Sequence, residues 1–448
     1  MSTTVSDNRA GSLVGRSVAF VTMGCAKNEV DSEHMMDRLA AAGYGIEEDP
    51  ERADVVIVNT CSFIQSATEE SIDAILEVAG YESVASGSSK IIVAGCMPAR
   101  YGSDLESELS EVDSFVPCAD EANIVETVDG MLGVERMPGS DLAVELSPDA
   151  SLVKPSAYVK ISDGCDRFCA YCTIPFIRGR YHSFPLVDVV AEVERQRALG
   201  AREIVLIAQD TGRWGSDFKE PSSLAQLLGH LAERFEDTWF RVMYIQPEGV
   251  TDELIASVAA HDNVCSYFDI PFQHSNERIV RSMNRRGSAD EYLALIEKIR
   301  REIPGVTLRT TLIAGYPGET EEDFEGLLEF VENADLDYVG VFPYSREEGT
   351  RSYDLPGQVD EEDKVRRAQE VRDLADAISS SRISRRVGST FDVLVCGIEE
   401  DGQMFGRAMC QAPDVDGVTY VDGAEIGDVV RVRIDDTLFY EMEGTIVA

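Results

Sequence analysis

Three cysteines in one short run are the residues of this chain best suited to chemistry. Cys165, Cys169 and Cys172 follow the spacing C-x3-C-x2-C. Three thiolates at this spacing can hold three corners of a cubane iron–sulfur cluster, because cysteine thiolates are the usual protein ligands of such clusters. The fourth iron then lacks a protein ligand, and an open coordination position distinguishes catalytic from structural metal sites. The run therefore predicts a cluster with one iron available for chemistry.

The alternative for the same cysteines is a zinc site or a group of structural thiols. Zinc ligands usually come as one C-x2-C pair followed by a second pair or by spaced histidines, and neither follows here. The aromatic residue Tyr171, directly before the third cysteine, also favours the cluster.

The elements that must position this run are predicted strands that alternate with helices. Six buried strands are expected, at 158–163, 203–209, 239–246, 267–272, 307–314 and 338–344. Helical patterns between them predict parallel β-α-β units and an incomplete barrel. In such folds the working residues lie at the carboxyl ends of the strands. Four residues of interest follow predicted strands: Cys165, Gln209, Gln273 and Gly315.

A second set of cysteines follows three predicted strands near the start of the chain. These strands are expected at 17–22, 54–59 and 91–94. Cys25, Cys61 and Cys96 come after them. Parallel strands align their carboxyl ends along one edge of an open α/β sheet, where ligands bind. The pattern favours a second metal site at that edge, with buried core thiols as the alternative.

Two local expectations accompany this pattern. Asp31 or Ser32 is predicted to cap the helix after the first strand, as short polar side chains commonly do. The remaining cysteines lack a comparable placement and are expected to be structural or incidental: Cys118, Cys265, Cys396 and Cys410.

Length and composition indicate several folded domains. The chain has 448 residues, too many for one core, and 44% of them are hydrophobic. The expected divisions are a disordered lead-in (1–16), an α/β domain (17–132), a linker (133–150), a barrel core with a trailing helix (151–386) and a small β-barrel (387–448). No apolar run predicts a membrane span, and the first residues do not resemble a secretory signal. Ten cysteines without such a signal favour a reducing compartment, so the cytoplasm is expected.

The charge of the chain argues against a nucleic-acid ligand. Asp and Glu number 82 against 40 Lys and Arg, for a formal net charge of −42. Residues 391–448 are acidic as well. Nucleic-acid affinity depends on Lys and Arg that neutralise phosphates, whereas an acidic surface attracts basic partners. The alternative is that the acidity only keeps the protein soluble, and a local basic cleft can coexist with it.

Several motifs together resemble the methylthiotransferases, a branch of the radical S-adenosylmethionine (SAM) enzymes. The run at 165–172 is similar to the radical SAM signature C-x3-C-x-aromatic-C, and the run at 24–33 is similar to the opening motif of the branch. Further similar segments lie at 173–175, 178–179, 271–275, 283–287, 316–320, 344–350 and 411–417. The resemblance extends in order along nearly the whole chain.

This resemblance implies a fold, cofactors and ligands. The implied α/β fold has an N-terminal methylthiotransferase domain, a radical SAM partial (βα)6 barrel and a C-terminal TRAM β-barrel. The implied cofactors are SAM and two [4Fe–4S] clusters, one on Cys165, Cys169 and Cys172 and the other on Cys25, Cys61 and Cys96. Four residues lie where SAM is expected to bind, with ordinary packing at the barrel mouth as the alternative: Tyr171, Gln209, Gln273 and Gly315.

Two branches of the resembled family differ in substrate. One modifies an adenosine in tRNA (the MiaB type), and the other modifies an aspartate of ribosomal protein S12 (the RimO type). Ala26 and Lys27 after the first cysteine resemble the RimO type, as does the segment 411–417. The acidic C-terminal module agrees, since it complements a basic ribosomal protein better than tRNA. Ribosomal protein S12 is therefore the predicted partner, beside an electron donor and a sulfur source that the sequence does not identify, and tRNA is the alternative.

The resemblance also implies a reaction in two halves, both of which consume SAM. A sulfur at the second cluster is methylated, and the first cluster then produces a 5′-deoxyadenosyl radical. The radical removes a hydrogen from the β-carbon of the aspartate, which takes up the methylthio group. No catalytic residue is assigned beyond the six cluster ligands. A hypothesis of another class is a non-catalytic iron–sulfur sensor or carrier, which leaves the β-α units and the separate barrel without a purpose.

Overall fold

The computed structural model describes residues 15–136 and 154–447. Most of the predicted lead-in (1–16) and most of the predicted linker (133–150) lie outside these residues. The described chain divides into two compact units. The first contains residues 15–136 together with Thr173–Gly179, and the second contains residues 154–172 and 180–447.

The first unit is built on a five-stranded parallel sheet. Its strands are β1 (Ser17–Thr22), β2 (Gly45–Ile46), β3 (Val55–Thr60), β4 (Lys90–Gly95) and β5 (Ser114–Pro117). Its helices are α1 (Ala26–Ala41), α2 (Gln65–Ala79), α3 (Glu82–Ala85), α4 (Cys96–Tyr101), α5 (Ser103–Glu108), α6 (Ile124–Leu132) and α7 (Ile174–Ile177). The strand order is β2-β1-β3-β4-β5, and every pairing is parallel. The three strands predicted in this region are confirmed to within one residue.

Burial on both faces of the sheet explains why these strands form. All six residues of β3 are buried. On one face Ile57 packs in the same core as Leu39 of α1. On the other face Val58 packs in the same core as Ile75 of α2. Parallel sheets covered on both faces have near-continuous apolar strands of this kind, and such strands hold the residues at their ends firmly.

The start of α1 differs from the prediction. The helix begins at Ala26 with Cys25 in the N-cap position, so Asp31 and Ser32 lie inside the helix. The capping prediction is wrong because both side chains have tertiary partners. Asp31 forms an ion pair with Arg178, and the Ser32 hydroxyl hydrogen-bonds with a threonine hydroxyl at the end of β1.

The second unit contains a partial barrel of six parallel strands. In chain order its strands are β6 (Ser156–Lys160), the short antiparallel pair β7 (Ser162–Asp163) and β8 (His182–Ser183), then β9 (Glu203–Ile207), β10 (Trp239–Val242), β11 (Tyr267–Asp269), β12 (Thr307–Ala314) and β13 (Tyr338–Pro343). The sheets β6-β9-β10 and β11-β12-β13 are joined by a parallel bridge between Phe240 and Val264. All six predicted strands are confirmed, although several are shorter than expected.

Helices cover the outside of the partial barrel. They are α8 (Leu186–Ala198), α9 (Leu224–Arg234), α10 (Asp252–Ala260), α11 (Glu277–Ser282), α12 (Ala289–Glu302), α13 (Glu321–Ala334) and α14 (Glu361–Ser384). One large apolar core lies between these helices and the strands, and it includes Leu206 of β9, Phe268 of β11 and Leu327 of α13. The trailing helix predicted at the end of the barrel core is α14.

A small closed barrel follows α14. Its strands are β14 (Thr390–Ile398), β15 (Met404–Ala408), β16 (Thr419–Tyr420), β17 (Val429–Leu438) and β18 (Glu441–Ile446), in the order β14-β15-β16-β18-β17. All acidic residues of 391–447 are exposed except Asp416 and Glu441. The exposed Arg431 and Arg433 both pair with carboxylates of this same barrel. The surface of the module is therefore acidic, as its composition predicts.

A buried ionic cluster joins this module to the starts of the barrel strands. Glu203 begins β9, and its carboxylate pairs with Arg241 of β10 and with Arg407 of β15. All three side chains are buried. Burial alone would raise the pKa of Glu203, but Arg407 and Arg241 lower it to about 2. The module is thus anchored at the end of the barrel opposite the carboxyl ends of the strands.

The segment 411–417 contributes to the same junction. Asp416 accepts a hydrogen bond from the hydroxyl of Tyr267, at 2.8 Å, and another from the backbone amide of Ala412. Gly417 is required there because a Cβ atom would lie only 2.0 Å from the carbonyl oxygen of Tyr440. The buried part of this segment, which contributed to the family resemblance, therefore stabilises the fold.

Removing the carboxylate from this cluster is expected to destabilise the second unit strongly. Glu203→Gln preserves the side-chain volume but leaves the buried guanidinium groups of Arg241 and Arg407 without a counter-charge. Breaking a buried ion pair in this way lowers the free energy of unfolding by about 3–5 kcal/mol. Urea denaturation followed by tryptophan fluorescence measures the change, since both tryptophans, Trp214 and Trp239, belong to this unit.

The exposed residue Glu220 offers a matched control. Glu220→Gln is expected to change the free energy of unfolding by less than about 0.5 kcal/mol. Equal stability of the two variants would contradict the role of the cluster.

The pH dependence of the stability has a definite sign, because the pKa of Glu203 in the folded protein lies below its ordinary value. The contribution of Glu203 to the free energy of unfolding is fully present above the ordinary pKa of a glutamate, and it is lost as the pH falls towards about 2.

Two further observations bear on the predicted organisation. The barrel core (151–386) and the last module (387–448) belong to one compact unit, so their division into two domains stays a prediction. No helix within residues 15–136 and 154–447 has both the length and the apolar character needed to cross a membrane.

Candidate functional site

The first predicted ligand set lies on the loop that follows β7. Cys165, Cys169 and Cys172 are free thiols between β7 and α7. The backbone of this loop is held at Ala170, whose amide donates to the carbonyl of Met283 at 2.9 Å. The carbonyl of Ala170 also accepts a hydrogen bond from a backbone amide after β13. The three thiols are therefore presented on one ordered loop.

Two arginines lie beside this loop. Arg167 forms ion pairs with Asp210, which follows β9, and with Glu248, which follows β10. The guanidinium of Arg285 lies 4.0 Å from the sulfur of Cys169. A positive charge next to a thiolate offsets its negative charge, most effectively where water is excluded. The arrangement suits a loop that carries anionic ligands.

The second predicted ligand set lies along one edge of the five-stranded sheet. Cys25 precedes α1, whereas Cys61 follows β3 directly and Cys96 follows β4 directly. Because these strands are parallel, the three cysteines share the edge formed by their carboxyl ends. The strand order also places the switch point of the sheet between β1 and β3, which is where ligands bind in such folds.

Close backbone approach brings Cys25 and Cys61 together. Gly24 has a φ of +93°, and a Cβ atom on it would lie 2.5 Å from the Cβ of Cys61. Only glycine fits such a position without strain. Burial raises the pKa of Cys61 to about 11, and because metals bind the thiolate, a cluster bound here would have to displace the proton of this sulfur.

A buried asparagine ties the loops of this edge to one another. Asn28 is fully buried, and its side-chain amide donates to the carbonyls of Met23 at 3.0 Å and Thr60 at 2.9 Å. The backbone carbonyl of Asn28 accepts a hydrogen bond from the side-chain amide of Asn59 at 2.9 Å. The residues that precede Cys61 are thereby fixed to the start of α1.

One arginine reaches this edge from a distant part of the chain. Arg178 lies in the segment Thr173–Gly179, which groups with the first unit. Its guanidinium pairs with Asp31 at 2.6 Å and lies 3.6 Å from the sulfur of Cys96. Sequence reasoning noticed Arg178 only as part of a motif, because its partners are more than eighty residues away.

A fourth thiol stands at the same edge, which corrects one prediction. Cys118 was expected to lack the placement of the other three, yet it follows β5 directly. It hydrogen-bonds with Cys96, and this contact is the largest influence that lowers the pKa of Cys96, ahead of Arg178. The prediction is wrong because β5 has only four residues and ends in Pro117, so no strand pattern marks it. Cys265, Cys396 and Cys410 lie in the second unit.

The two cysteine sets fit iron–sulfur clusters in the type and number of their donors. Across residues 15–136 and 154–447, no group of His, Cys, Asp or Glu side chains is arranged to hold a single metal ion. A cubane cluster makes a different demand, because each cysteine binds a different iron and the sulfurs lie further apart. Each set supplies three free thiols, which leaves one iron of such a cluster without a protein ligand.

The four predicted SAM contacts lie on the loop of the first set or after barrel strands. Tyr171 is on the cysteine loop and packs against a small core that includes Tyr316. Gln209 follows β9, and its buried Oε1 atom has no hydrogen-bond partner among the described residues. Gln273 follows β11 with a φ of +72° and bridges to Leu312 of β12. An unpaired buried acceptor such as Gln209 Oε1 fits a ligand that donates a hydrogen bond.

Gly315 has a neighbour that the sequence did not predict. Its φ is +77°, and the space that a Cβ atom would fill is taken by Lys364 of α14, 2.5 Å away. Its amide donates to the carboxylate of Glu319 at 2.9 Å, which also accepts from Arg367. The glycine therefore permits close approach of α14, and its contact with SAM stays a prediction. The carboxylate of Glu319 also contacts Nε2 of the buried His274.

Family comparisons divide the chain into three matched segments. Residues 17–117 match the Uncharacterized protein family UPF0004, residues 159–331 match the Radical SAM superfamily, and residues 387–447 match the TRAM domain. Both predicted ligand sets lie within the first two segments.

Relatives of known name match nearly the whole chain. The ribosomal protein uS12 methylthiotransferase RimO of Trichlorobacter lovleyi is 42% identical over 441 residues, which cover 96% of this chain and 98% of that protein. The protein of the same name from Geobacter sulfurreducens is 41% identical over 442 residues, with the same coverage.

A solved structure supports the fold alone. The radical S-adenosylmethionine methyltransferase TsrM from Kitasatospora setae superposes with a TM-score of 0.53 at 15% sequence identity. The match covers 74% of each chain.

Proposed function

The chain belongs to the RimO family of radical SAM methylthiotransferases, and from this premise we propose that it adds a methylthio group to the β-carbon of an aspartate in ribosomal protein S12. The observation that carries the proposal is the presence of two separate sets of three cysteines. One set stands on the loop after the first barrel strands, and the other stands along a sheet edge of the first unit.

Each set has a distinct role in the proposed reaction. When bound, the cluster on the barrel loop supplies the 5′-deoxyadenosyl radical from SAM, and the cluster on the sheet edge supplies the methylthio group. Cys165, Cys169 and Cys172 would hold the first cluster, and Arg285, next to the sulfur of Cys169, would offset its negative charge. Gln209 and Gln273 stand after strands of the barrel, where they would orient SAM.

Cys25, Cys61 and Cys96 hold the second cluster in this proposal. Their edge of the sheet is rigid, because buried strands and the Asn28 hydrogen bonds fix the loops that carry them. A rigid ligand set would hold a bound cluster in one orientation, which favours a defined reaction geometry.

The charge of the C-terminal module supports a basic protein as the substrate. Its exposed carboxylates far outnumber its exposed arginines, which are already paired within the module. A surface that binds tRNA needs Lys and Arg free to neutralise phosphates. The alternative, a tRNA methylthiotransferase of the MiaB type, therefore gains no support from this module.

The remaining predictions follow from the same proposal. We assign residues 17–132 to the methylthiotransferase domain, 151–386 to the radical SAM core and 387–448 to the TRAM domain. A ribosomal substrate implies a reaction in the cytoplasm. An electron donor and a source of sulfur are required in addition.

The substrate can be tested in a strain that lacks the gene. We expect the mass of ribosomal protein S12 to fall by one methylthio group, whereas the methylthio content of tRNA stays unchanged, because only the basic protein complements the acidic module. Mass spectrometry of purified ribosomal proteins and of digested tRNA measures both quantities. Restoring the wild-type gene should return the S12 mass, and restoring a Cys169→Ala variant should not. Loss of the modification from tRNA with S12 unchanged would contradict the proposal.

A further inference from the structure

A buried guanidinium stands next to one predicted ligand of the second cluster. The side chain of Arg178 is 3% exposed, and its Nη2 atom lies 3.6 Å from the sulfur of Cys96. The geometry is that of an N–H···S hydrogen bond. Arg178 also acts electrostatically on Cys61, whereas its hydrogen bond to a sulfur is made with Cys96. The three predicted ligands are therefore unequal.

The orientation of this guanidinium is fixed by two other buried side chains. Its Nη1 atom pairs with Asp31 at 2.6 Å, and its Nη2 atom also donates to the side-chain oxygen of Asn28 at 2.8 Å. Asp31 is 3% exposed and Asn28 is fully buried. An arginine stays protonated in proteins, and a charge shielded from water acts strongly on its neighbours. The sulfur of Cys96 thus meets a permanent positive charge at a set position.

This placement would affect the redox properties of a cluster bound at Cys96. The reduction potential of an iron–sulfur cluster depends on hydrogen bonds to its sulfurs, on nearby charge and on exposure to solvent. Reduction adds one negative charge to the cluster. An N–H donor and a positive charge beside a ligand sulfur stabilise that added charge, so they raise the potential.

Resting on the proposed function, which puts an iron–sulfur cluster on Cys25, Cys61 and Cys96, we propose that Arg178 is a positioning residue that raises the reduction potential of that cluster through its hydrogen bond to Cys96. Asp31 has the opposite electrostatic effect while it orients the guanidinium. The alternative is a structural role, in which Arg178 only ties the segment Thr173–Gly179 to α1 through Asp31.

The test uses the full chain with the first cluster removed. The triple variant Cys165→Ala, Cys169→Ala, Cys172→Ala is reconstituted anaerobically with iron and sulfide, so that only the second cluster contributes to the spectrum. Redox titration followed by electron paramagnetic resonance then gives its midpoint potential. Arg178→Met is expected to shift the midpoint to more negative values, because it removes the donor and the positive charge. Asp31→Asn is expected to shift it to more positive values, because it removes a negative charge and keeps an acceptor for Arg178.

A second readout is the rate at which a chelator removes iron. Changes to groups that support metal ligands commonly reduce metal affinity by about 10–100-fold, so iron loss from Arg178→Met should be at least about tenfold faster. Arg178→Lys keeps the positive charge but lacks the planar set of donors of a guanidinium. Its rate of iron loss should therefore lie between those of the wild type and Arg178→Met. Arg38→Met is the matched control, since Arg38 is an exposed arginine of α1 whose guanidinium donates a hydrogen bond to the carbonyl of Ala122.

Each outcome of this test has one meaning. Opposite shifts for Arg178→Met and Asp31→Asn, with no shift for Arg38→Met, are the expected result. Shifts in the same direction, or a midpoint for Arg178→Met equal to that of the control, would overturn the inference. If Arg178→Met fails to fold, the double variant Arg178→Met, Asp31→Asn leaves no buried charge unpaired and is compared with Asp31→Asn. If the triple variant itself binds no cluster, the proposed function loses its second cluster, and the inference is overturned with it.

Discussion

Replacing Cys169 with alanine is expected to abolish the formation of 5′-deoxyadenosine from SAM. Cys169 is the central predicted ligand of the first set, and the two remaining thiolates could not hold three corners of a cubane cluster. Changes one shell further out already reduce activity by about 10–100-fold, so the loss of a ligand should exceed about 100-fold. Chromatography of the nucleoside formed under anaerobic conditions with dithionite measures the effect.

The matched control for this variant is Cys396→Ala. Cys396 lies in β14 of the C-terminal barrel, where its sulfur contacts the carbonyl of Leu394. It belongs to neither ligand set, so its loss should leave nucleoside formation within about twofold of the wild type. If Cys169→Ala formed 5′-deoxyadenosine at the wild-type rate, the assignment of the first set would be wrong. Equal losses in Cys169→Ala and Cys396→Ala would indicate a loss of folding instead of the loss of a ligand.

The strands that carry both sets could be predicted from the sequence for a simple physical reason. Buried parallel strands are continuous runs of β-branched and apolar residues, and β3 is buried at every position. Cys61 and Cys96 follow such runs directly, so their common edge follows from the parallel topology. The local sequence pattern is therefore sufficient to predict that Cys61 and Cys96 lie at the same edge of the sheet.

Partners across long sequence separations could not be predicted in the same way. Asp31 resembles a helix cap by its position, but its charge is paired with Arg178, 147 residues away. The same holds for Glu203, whose partner Arg407 belongs to a different barrel. No periodicity or spacing encodes such a pair, because its members meet only when the tertiary structure has formed.

Short strands were the second reason why a prediction from the sequence was wrong. β5 has four residues, and only Phe115 and Val116 in it are apolar side chains typical of a strand. Cys118 was therefore separated from the other cysteines, although it follows the strand next to β4. The strand forms because it pairs with β4 and buries Val116 in the core of the sheet, and neither effect is visible locally.

Replacing Cys61 with alanine is expected to separate the two halves of the reaction. The variant should still form 5′-deoxyadenosine, because the first set is intact, but it should form no methylthiolated ribosomal protein S12. Its iron content should fall by about half, since one of two four-iron clusters is lost. Cys61 is suited to this test because it follows β3 directly and is buried, so removal of one sulfur disturbs little else.

Three measurements on one sample decide this prediction: iron content, nucleoside formation and the mass of S12. Cys396→Ala again serves as the control and should retain all three. Cys118→Ala addresses the ligand assignment, because four thiols stand at this edge and only three are proposed as ligands. Should Cys118→Ala lose half of the iron while Cys61→Ala retains it, the assigned set would be wrong. Methylthiolated S12 from Cys61→Ala would remove the second cluster from the mechanism altogether, since no other source of the methylthio group is proposed within the chain.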